Sequence, residues 1–263
     1  ATALAIGIAI IIVAFPISRL VRNRPEEYGT YPDGVARGLR STEIAVGANR
    51  AIVEDVEGYT WQQAVRTKEF WMITLAHACS STVIVTIMVH LGPMLVDRGF
   101  SLQMVGWVVS AYTGVGAVFT MVGGYVGDRV RLQKTLFVFT SVQSIAVVVL
   151  MQTHTLPMAM LFAVLLGIGF GGRTPLTTSM RGTYFGRKAF ASITGISMIP
   201  MNVLFMVMPL FAGIMFDQQG SYSIPFSVVA ILSTMGSVLF LTLGNPRSPM
   251  TSLQPERGAA AGD

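Results

Sequence analysis

Residues 123–134 read GGYVGDRVRLQK, one acid and three bases held between two long apolar runs. The run before this turn, 102–125, and the run after it, 135–151, both have the length of a membrane span. An apolar bilayer core about 30 Å thick takes about 20 residues at 1.5 Å rise each. Outward from the turn, five more runs qualify: 1–17, 70–95, 157–180, 191–216 and 223–243. They must be helices, because lipid offers no partner for backbone N–H and C=O groups. Composition agrees, with 52% hydrophobic and 12% charged residues, against about 25% charged in a soluble domain. The sequence therefore describes an all-α integral membrane protein.

The connections alternate in charge. Stretch 18–69 holds eight Lys and Arg, 128–134 three, 181–188 three and the tail after 244 two, while 96–101, 152–156 and 217–222 hold only Arg98. Positive loops stay on the cytoplasmic side. The expectation is a multi-pass protein of the inner cell membrane with a cytoplasmic C-terminus. The net charge of +5 is then topological, and no aromatic-interleaved basic groove suggests a nucleic-acid partner.

Four divisions follow. Residues 1–17 read as the end of a truncated transmembrane helix, since the positive charges Arg19, Arg22 and Arg24 come after the apolar stretch and not before it, as a secretory signal would have them. Residues 18–69 read as a cytoplasmic linker. Within it, Thr60 and Gln63 have capping-box spacing ahead of a short amphipathic helix whose apolar face holds Trp61, Ala64, Val65 and Phe70. Residues 70–243 form a six-transmembrane-helix bundle, and 244–263, rich in Pro, Ala and Gly, a disordered cytoplasmic tail.

Catalytic patterns are absent from the sequence: no G-x-S-x-G, no H-E-x-x-H, no intramembrane aspartate pair and no phosphate-cradling glycine loop. The lone Cys79 lies in an apolar run and reads as a small hydrophobe. No His, Cys, Asp and Glu cluster has ligand spacing, so neither a metal nor a cofactor is expected.

Polar residues inside spans usually face an interior cavity, which makes Arg173, Asn202, Tyr112, His77 and His90 candidates for a substrate path. Arg173 falls within LLGIGFGGRTPLTTSM, residues 165–180. Gly167, Gly169, Gly171 and Gly172 let a neighbour or substrate approach there, and Pro175 frees the carbonyl of Gly171. Arg173 also lies only about 12 Å from Arg181 at helical rise, near enough to snorkel toward the interface. His77 and His90 are thirteen residues apart, so they point roughly 140° apart and do not share one ligand. Tyr112 and Thr113 stand beside Gly114 and Gly116, and Asn202 between Pro200 and Pro209.

One long basic linker followed by six spans with tight connections resembles the second half of a major facilitator superfamily transporter. The turn 123–134 is similar to that family's G-x-x-x-D-R-x-G-R-K loop. Gly124, Asp128 and Arg129 align, whereas Arg131 stands where a glycine belongs and Leu132 where an arginine belongs. The resemblance implies a gating loop of Gly124, Asp128 and Arg129, with Asp128 facing a missing N-terminal six-helix half. It also implies that the family's helices seven, eight, ten and eleven line the central path while nine and twelve face lipid. The stretches RPEEYG-x-x-PDG and GGRTPLTTSMRGTYFGRKAF resemble the bacterial monocarboxylate and oxalate–formate antiporter-like branch. That resemblance implies a secondary active transporter of a small organic anion, a monocarboxylate or dicarboxylate, working by alternating access with a coupled proton or counter-anion. The alternatives are a non-transporting membrane sensor or assembly factor on the same scaffold, and a six-helix channel, for which the sequence has no repeated pore-lining segment.

Overall fold

The computed structural model describes residues 10, 12–19 and 58–246. The chain divides into two units, Ala1–Ile52 and Val53–Asp263. In the first, residues 12–19 are helical, and the Arg19 guanidinium lies 5.0 Å from the Phe15 ring centre. Most of the expected linker (20–57) and of the expected tail (247–263) lies outside the described residues.

Among its described residues the second unit holds a short helix, α1 (Trp61–Val65), and six long ones: α2 (Lys68–Asp97), α3 (Leu102–Gly127), α4 (Leu132–Met151), α5 (Leu156–Phe185), α6 (Phe190–Gln219) and α7 (Ser223–Leu241). All six are long and apolar enough to cross a membrane. Their starts follow local chemistry. Thr60 Oγ1 accepts from the Gln63 N–H at 3.3 Å while Gln63 Oε1 accepts from the Thr60 N–H at 2.9 Å, the reciprocal box that the spacing predicts. Thr67 and Ser101 cap α2 and α3 in the simpler way. Gly186, which ends α5, and Gly220, which ends α6, have φ of +73° and +63°, values that favour residues without a Cβ.

One boundary corrects the sequence reading. The fifth run is expected to end at 180, leaving Arg181 in a loop, but α5 continues to Phe185 and Arg181 is 1% exposed. An arginine interrupts a hydropathy run, yet it does not interrupt a helix when its guanidinium is hydrogen-bonded and its aromatic successors Tyr184 and Phe185 are buried.

α5 packs between α3 and α4, α7 between α4 and α2, and α6 against α2, with α5 touching α2 and α6 only locally. The order α3–α5–α4–α7–α2–α6 leaves α3 and α6 at the two margins. Glycine makes the α5 seams possible. A Cβ on Gly167 would lie 2.7 Å from the Tyr112 carbonyl oxygen, and one on Gly169 would lie 2.6 Å from the Gln143 nitrogen. At Gly171 and Gly172 the obstacles are the Gly116 carbonyl and the Phe139 ring. The four glycines thus admit neighbouring helices. Small residues perform this service in lipid, where apolar surface alone does not draw helices together.

Two apolar clusters fill the interior. One gathers Ile87, Leu91, Leu95, Phe162, Leu166 and Phe226 toward the end formed by the turns after α2, α4 and α6. The other gathers Phe70, Ile73, Leu136, Met180, Phe185 and Phe240 toward the opposite end, where residues 58–60 also sit. This second end is called the linker end below; Tyr59 N–H donates to the Phe185 carbonyl there at 2.9 Å. Between the clusters, along α2, α4 and α5, lie the buried polar residues Ser80, Ser81, Gln143 and Arg173.

α4 and α7 carry outward apolar stripes, Val138, Ile145 and Val148 on one and Ile231, Met235 and Val238 on the other. Their facing sides are polar: Ser141 and Ser237 hydroxyls stand 2.7 Å apart, and Ser144 donates to Ser233 at 2.7 Å. These two helices form the seam of the bundle, while α3 and α6 expose most of their surface.

Candidate functional site

Arg173 lies on α5 with 2% of its surface exposed. Its Nε donates to Gln143 Oε1 at 2.7 Å, Nη1 to Ser80 Oγ at 3.2 Å, and Nη2 to Ser81 Oγ at 3.3 Å and the Ser80 carbonyl at 3.4 Å. Gln143 Nε2 donates in turn to that same Ser80 carbonyl at 2.7 Å. Arg173 therefore does not snorkel; it joins α5 to α2 and α4 through neutral acceptors. A buried charge is expensive unless its donors are used, and four hydrogen bonds to three residues engage this one. Gln143 escaped the sequence reading because it sits on a helix expected to face lipid. A single amide inside an apolar span is itself a signal for an interior partner.

A second cation lies nearer the linker end. Arg181 Nε donates to Ser197 Oγ of α6 at 2.7 Å, Nη1 to the Thr177 carbonyl at 3.2 Å, and Nη2 contacts His77 Nδ1 of α2 at 2.6 Å. A guanidinium has no acceptor, so Nδ1 must accept and the imidazole is neutral with its hydrogen on Nε2. Arg181 thereby bridges three helices, α5, α2 and α6. The sequence offered one clue to its place: Tyr184 and Phe185 prolong the apolar pattern to the terminating Gly186.

His90 has separate surroundings, as its distance in sequence from His77 requires. Its Nε2 donates to the Pro209 carbonyl of α6 at 2.9 Å, and its ring lies 5.4 Å from that of Tyr222, which stacks on Phe216 at 4.3 Å. Tyr222, in the turn before α7, has its phenol pKa raised by burial first and then by the charges of Asp97 and Asp217. At the same end Arg98 closes the last turn of α4, donating to the carbonyls of Leu150, Met151 and Thr153 at 2.8–3.1 Å. A cation there complements the negative end of the helix dipole. Burial lowers the Arg98 pKa, and the guanidinium stays charged regardless.

The remaining candidates stand apart. Tyr112 is half-buried against the first apolar cluster, and Thr113 Oγ1 donates to its own helix at Val109, 2.8 Å away. Asn202 is exposed on α6. In the turn 123–134, Asp128 caps α3 and is exposed. Arg129 folds back on its own helix, donating to the Tyr125 carbonyl at 3.0 Å with its guanidinium 3.6 Å from the Tyr125 ring centre. The structure thus brings together Arg173 with Gln143, Ser80 and Ser81, and Arg181 with His77. Asn202, Tyr112 and His90 do not join either group.

An all-helical bundle of six membrane-length helices around a buried polar layer belongs to the polytopic membrane proteins. The sequence model of the Major Facilitator Superfamily matches residues 73–261. The chain belongs to that superfamily, a class of transporters and not of enzymes. It is also 24% identical over 174 residues to the "Uncharacterized transporter YycB" of Bacillus subtilis (strain 168), a match covering 65% of this chain and 43% of the relative. The chain thus spans less than half the length of the curated relative it matches.

Proposed function

We propose that this chain is the C-terminal half of a secondary active transporter that moves a small organic anion, a monocarboxylate or dicarboxylate, by alternating access. The observation that carries the anion assignment is the pair of guanidinium groups on α5. Arg173 and Arg181 are both buried, and their side-chain partners are neutral. Two positive charges among uncharged hydroxyls and amides make the interior attractive to a carboxylate, and a planar guanidinium matches carboxylate geometry.

In the whole transporter the exposed margins α3 and α6 would meet the N-terminal half and border the central path, with Tyr112 and Asn202 on them. A midplane site between two bundles is the usual arrangement for such repeats. Asp128, exposed at the end of α3, would face the other half as a gate. The linker end would be cytoplasmic, since it carries Arg129, Arg131, Lys134, Arg187 and Lys188.

Counterflow of labelled carboxylates in liposomes containing the full-length protein tests the reading. Exchange of at least one mono- or dicarboxylate, slowed more than about tenfold when Arg173 is replaced by alanine, is expected. No exchange across a broad anion panel would overturn the substrate assignment and favour a sensor or assembly role on the same scaffold.

A further inference from the structure

We propose that His77 is the proton-binding site of this half-bundle, and that protonating its Nδ1 releases Arg181 and opens the linker end between α5 and α2. The inference rests on the transport reading above and names the ion coupled to it.

The geometry restricts what the pair can do. Arg181 Nη2 and His77 Nδ1 are 2.6 Å apart, and only the imidazole has a lone pair to offer. A proton arriving at Nδ1 forms an N–H bond with that lone pair, and the acceptor is lost. The product is an imidazolium cation pointing at a guanidinium cation. Arg181 keeps its bonds to Ser197 and Thr177 and loses the one that reaches α2. When the proton returns to water from the released ring, the lone pair is restored and the contact can close again. No other reactant is consumed.

The surroundings make this contact a suitable switch. α5 touches α2 and α6 only locally, so Arg181 supplies one of few bridges across that part of the bundle. Arg181 is 1% exposed, whereas His77 is half-buried. The charged group in contact with His77 is Arg181, from α5. α6 contributes the hydroxyl of Ser197 through Arg181, α4 carries the uncharged Gln143 in the adjoining layer, and α7, packed along α2, carries no titratable side chain. While Arg181 donates to Nδ1, the latched arrangement has no room for a second hydrogen on that nitrogen. A proton that binds only the released arrangement shifts the population toward it. His90, by contrast, donates to a carbonyl, a role that protonation leaves intact.

The test needs no substrate. Spin labels are placed on the full-length protein at Leu75→Cys of α2 and Thr183→Cys of α5, both exposed, with Cys79 and any other cysteine replaced by alanine. Distances are recorded in liposomes from about pH 8 to about pH 5, bracketing the ordinary histidine range. The expected result is a separation growing by about 1–2 Å or more, the scale of interface helix shifts, as pH falls. His77→Gln retains an acceptor oxygen at every pH and should hold the short distance throughout. A distance in the parent protein that ignores pH overturns the proposal, as does a His77→Gln protein that still opens with acid. Should His77→Gln fail to fold, nitrogen-15 spectra of the histidine rings decide the matter in the unsubstituted protein. His77 Nδ1 must gain its hydrogen over the pH range in which the helices separate, and a ring unchanged across that range refutes the assignment. A silent anion panel leaves these measurements standing, so the two readings can fail separately.

Discussion

α5 and α6 are neighbours in sequence, each thirty residues long and each with proline inside. Half of the most apolar window of α5 is buried, against 11% for α6, although α6 has the higher mean hydropathy, 2.0 to 1.6. The more apolar helix is the less buried one. Contacts between membrane helices depend on close approach and hydrogen bonds, not on apolar surface alone. α5 meets those needs with four glycines and two arginines. α6 has no arginine, and its two glycines admit no close neighbour: a Cβ on Gly195 would meet nothing within 4 Å and one on Gly213 only His90 Cε1 at 3.9 Å, while its outward side chains include Ile199, Val203, Met206 and Leu210.

The sharpest way to break this comparison is to add bulk to both helices. Gly171→Leu must push against the Gly116 backbone, and overpacking costs about 1–3 kcal/mol or more; little folded protein should survive detergent extraction and size exclusion. Gly195→Leu should elute like the parent. Equal behaviour would mean that the α3–α5 seam yields, and that glycine does not set it.

Removing polar groups gives the next effect. Gln143→Leu leaves Arg173 Nε without its acceptor, a loss of about 1–3 kcal/mol to be read in denaturant unfolding. Asn202→Leu on exposed α6 should stay within about 0.5 kcal/mol. A larger loss at Asn202 would show that the α6 face is already committed to an internal contact.

Arg173→Lys keeps the charge and loses the fork that reaches Gln143, Ser80 and Ser81 together. We expect counterflow to slow about tenfold, equivalent to about 1.4 kcal/mol of barrier, and Arg173→Ala to slow it further. If both rates match the parent, Arg173 is a packing cation and α5 is a purely structural helix.

The smallest effect belongs to the turn between α6 and α7. Folding raises the Tyr222 pKa, so the folded state favours the neutral phenol. That contribution is complete below the ordinary tyrosine value of about 10. It is lost as pH rises through the folded value, because the unfolded chain releases the proton first. Melting temperature should therefore fall more steeply above about pH 10 in the parent than in Tyr222→Phe. Parallel curves would show that burial there has no linkage to stability.

Much of the fold was legible because spans announce themselves by hydropathy and turns by charge. The six helix positions, the capping box at Thr60 and Gln63, and the superfamily all follow from such local patterns. The interior was less legible. Arg173 drew attention as a charge in a span, but which way it faced depended on Gln143 and Ser80, 30 and 93 residues away. By hydropathy Arg181 reads as a loop residue, because its hydrogen-bond partners on α2 and α6 lie far off in sequence. The glycines beside Arg173 were compatible with room for a solute and with a packed neighbour alike; the backbones of α3 and α4 occupy that space.

The sequence alone therefore determined that this is a bundle of membrane helices, where each begins, and which side chains are costly to bury. Those properties depend on single residues and their near neighbours in contact with lipid or water. The tertiary structure decided which costly groups meet: Arg173 with Gln143, Ser80 and Ser81, and Arg181 with His77 and Ser197. A hydrogen bond between helices depends on rotation and register, and no local pattern encodes either.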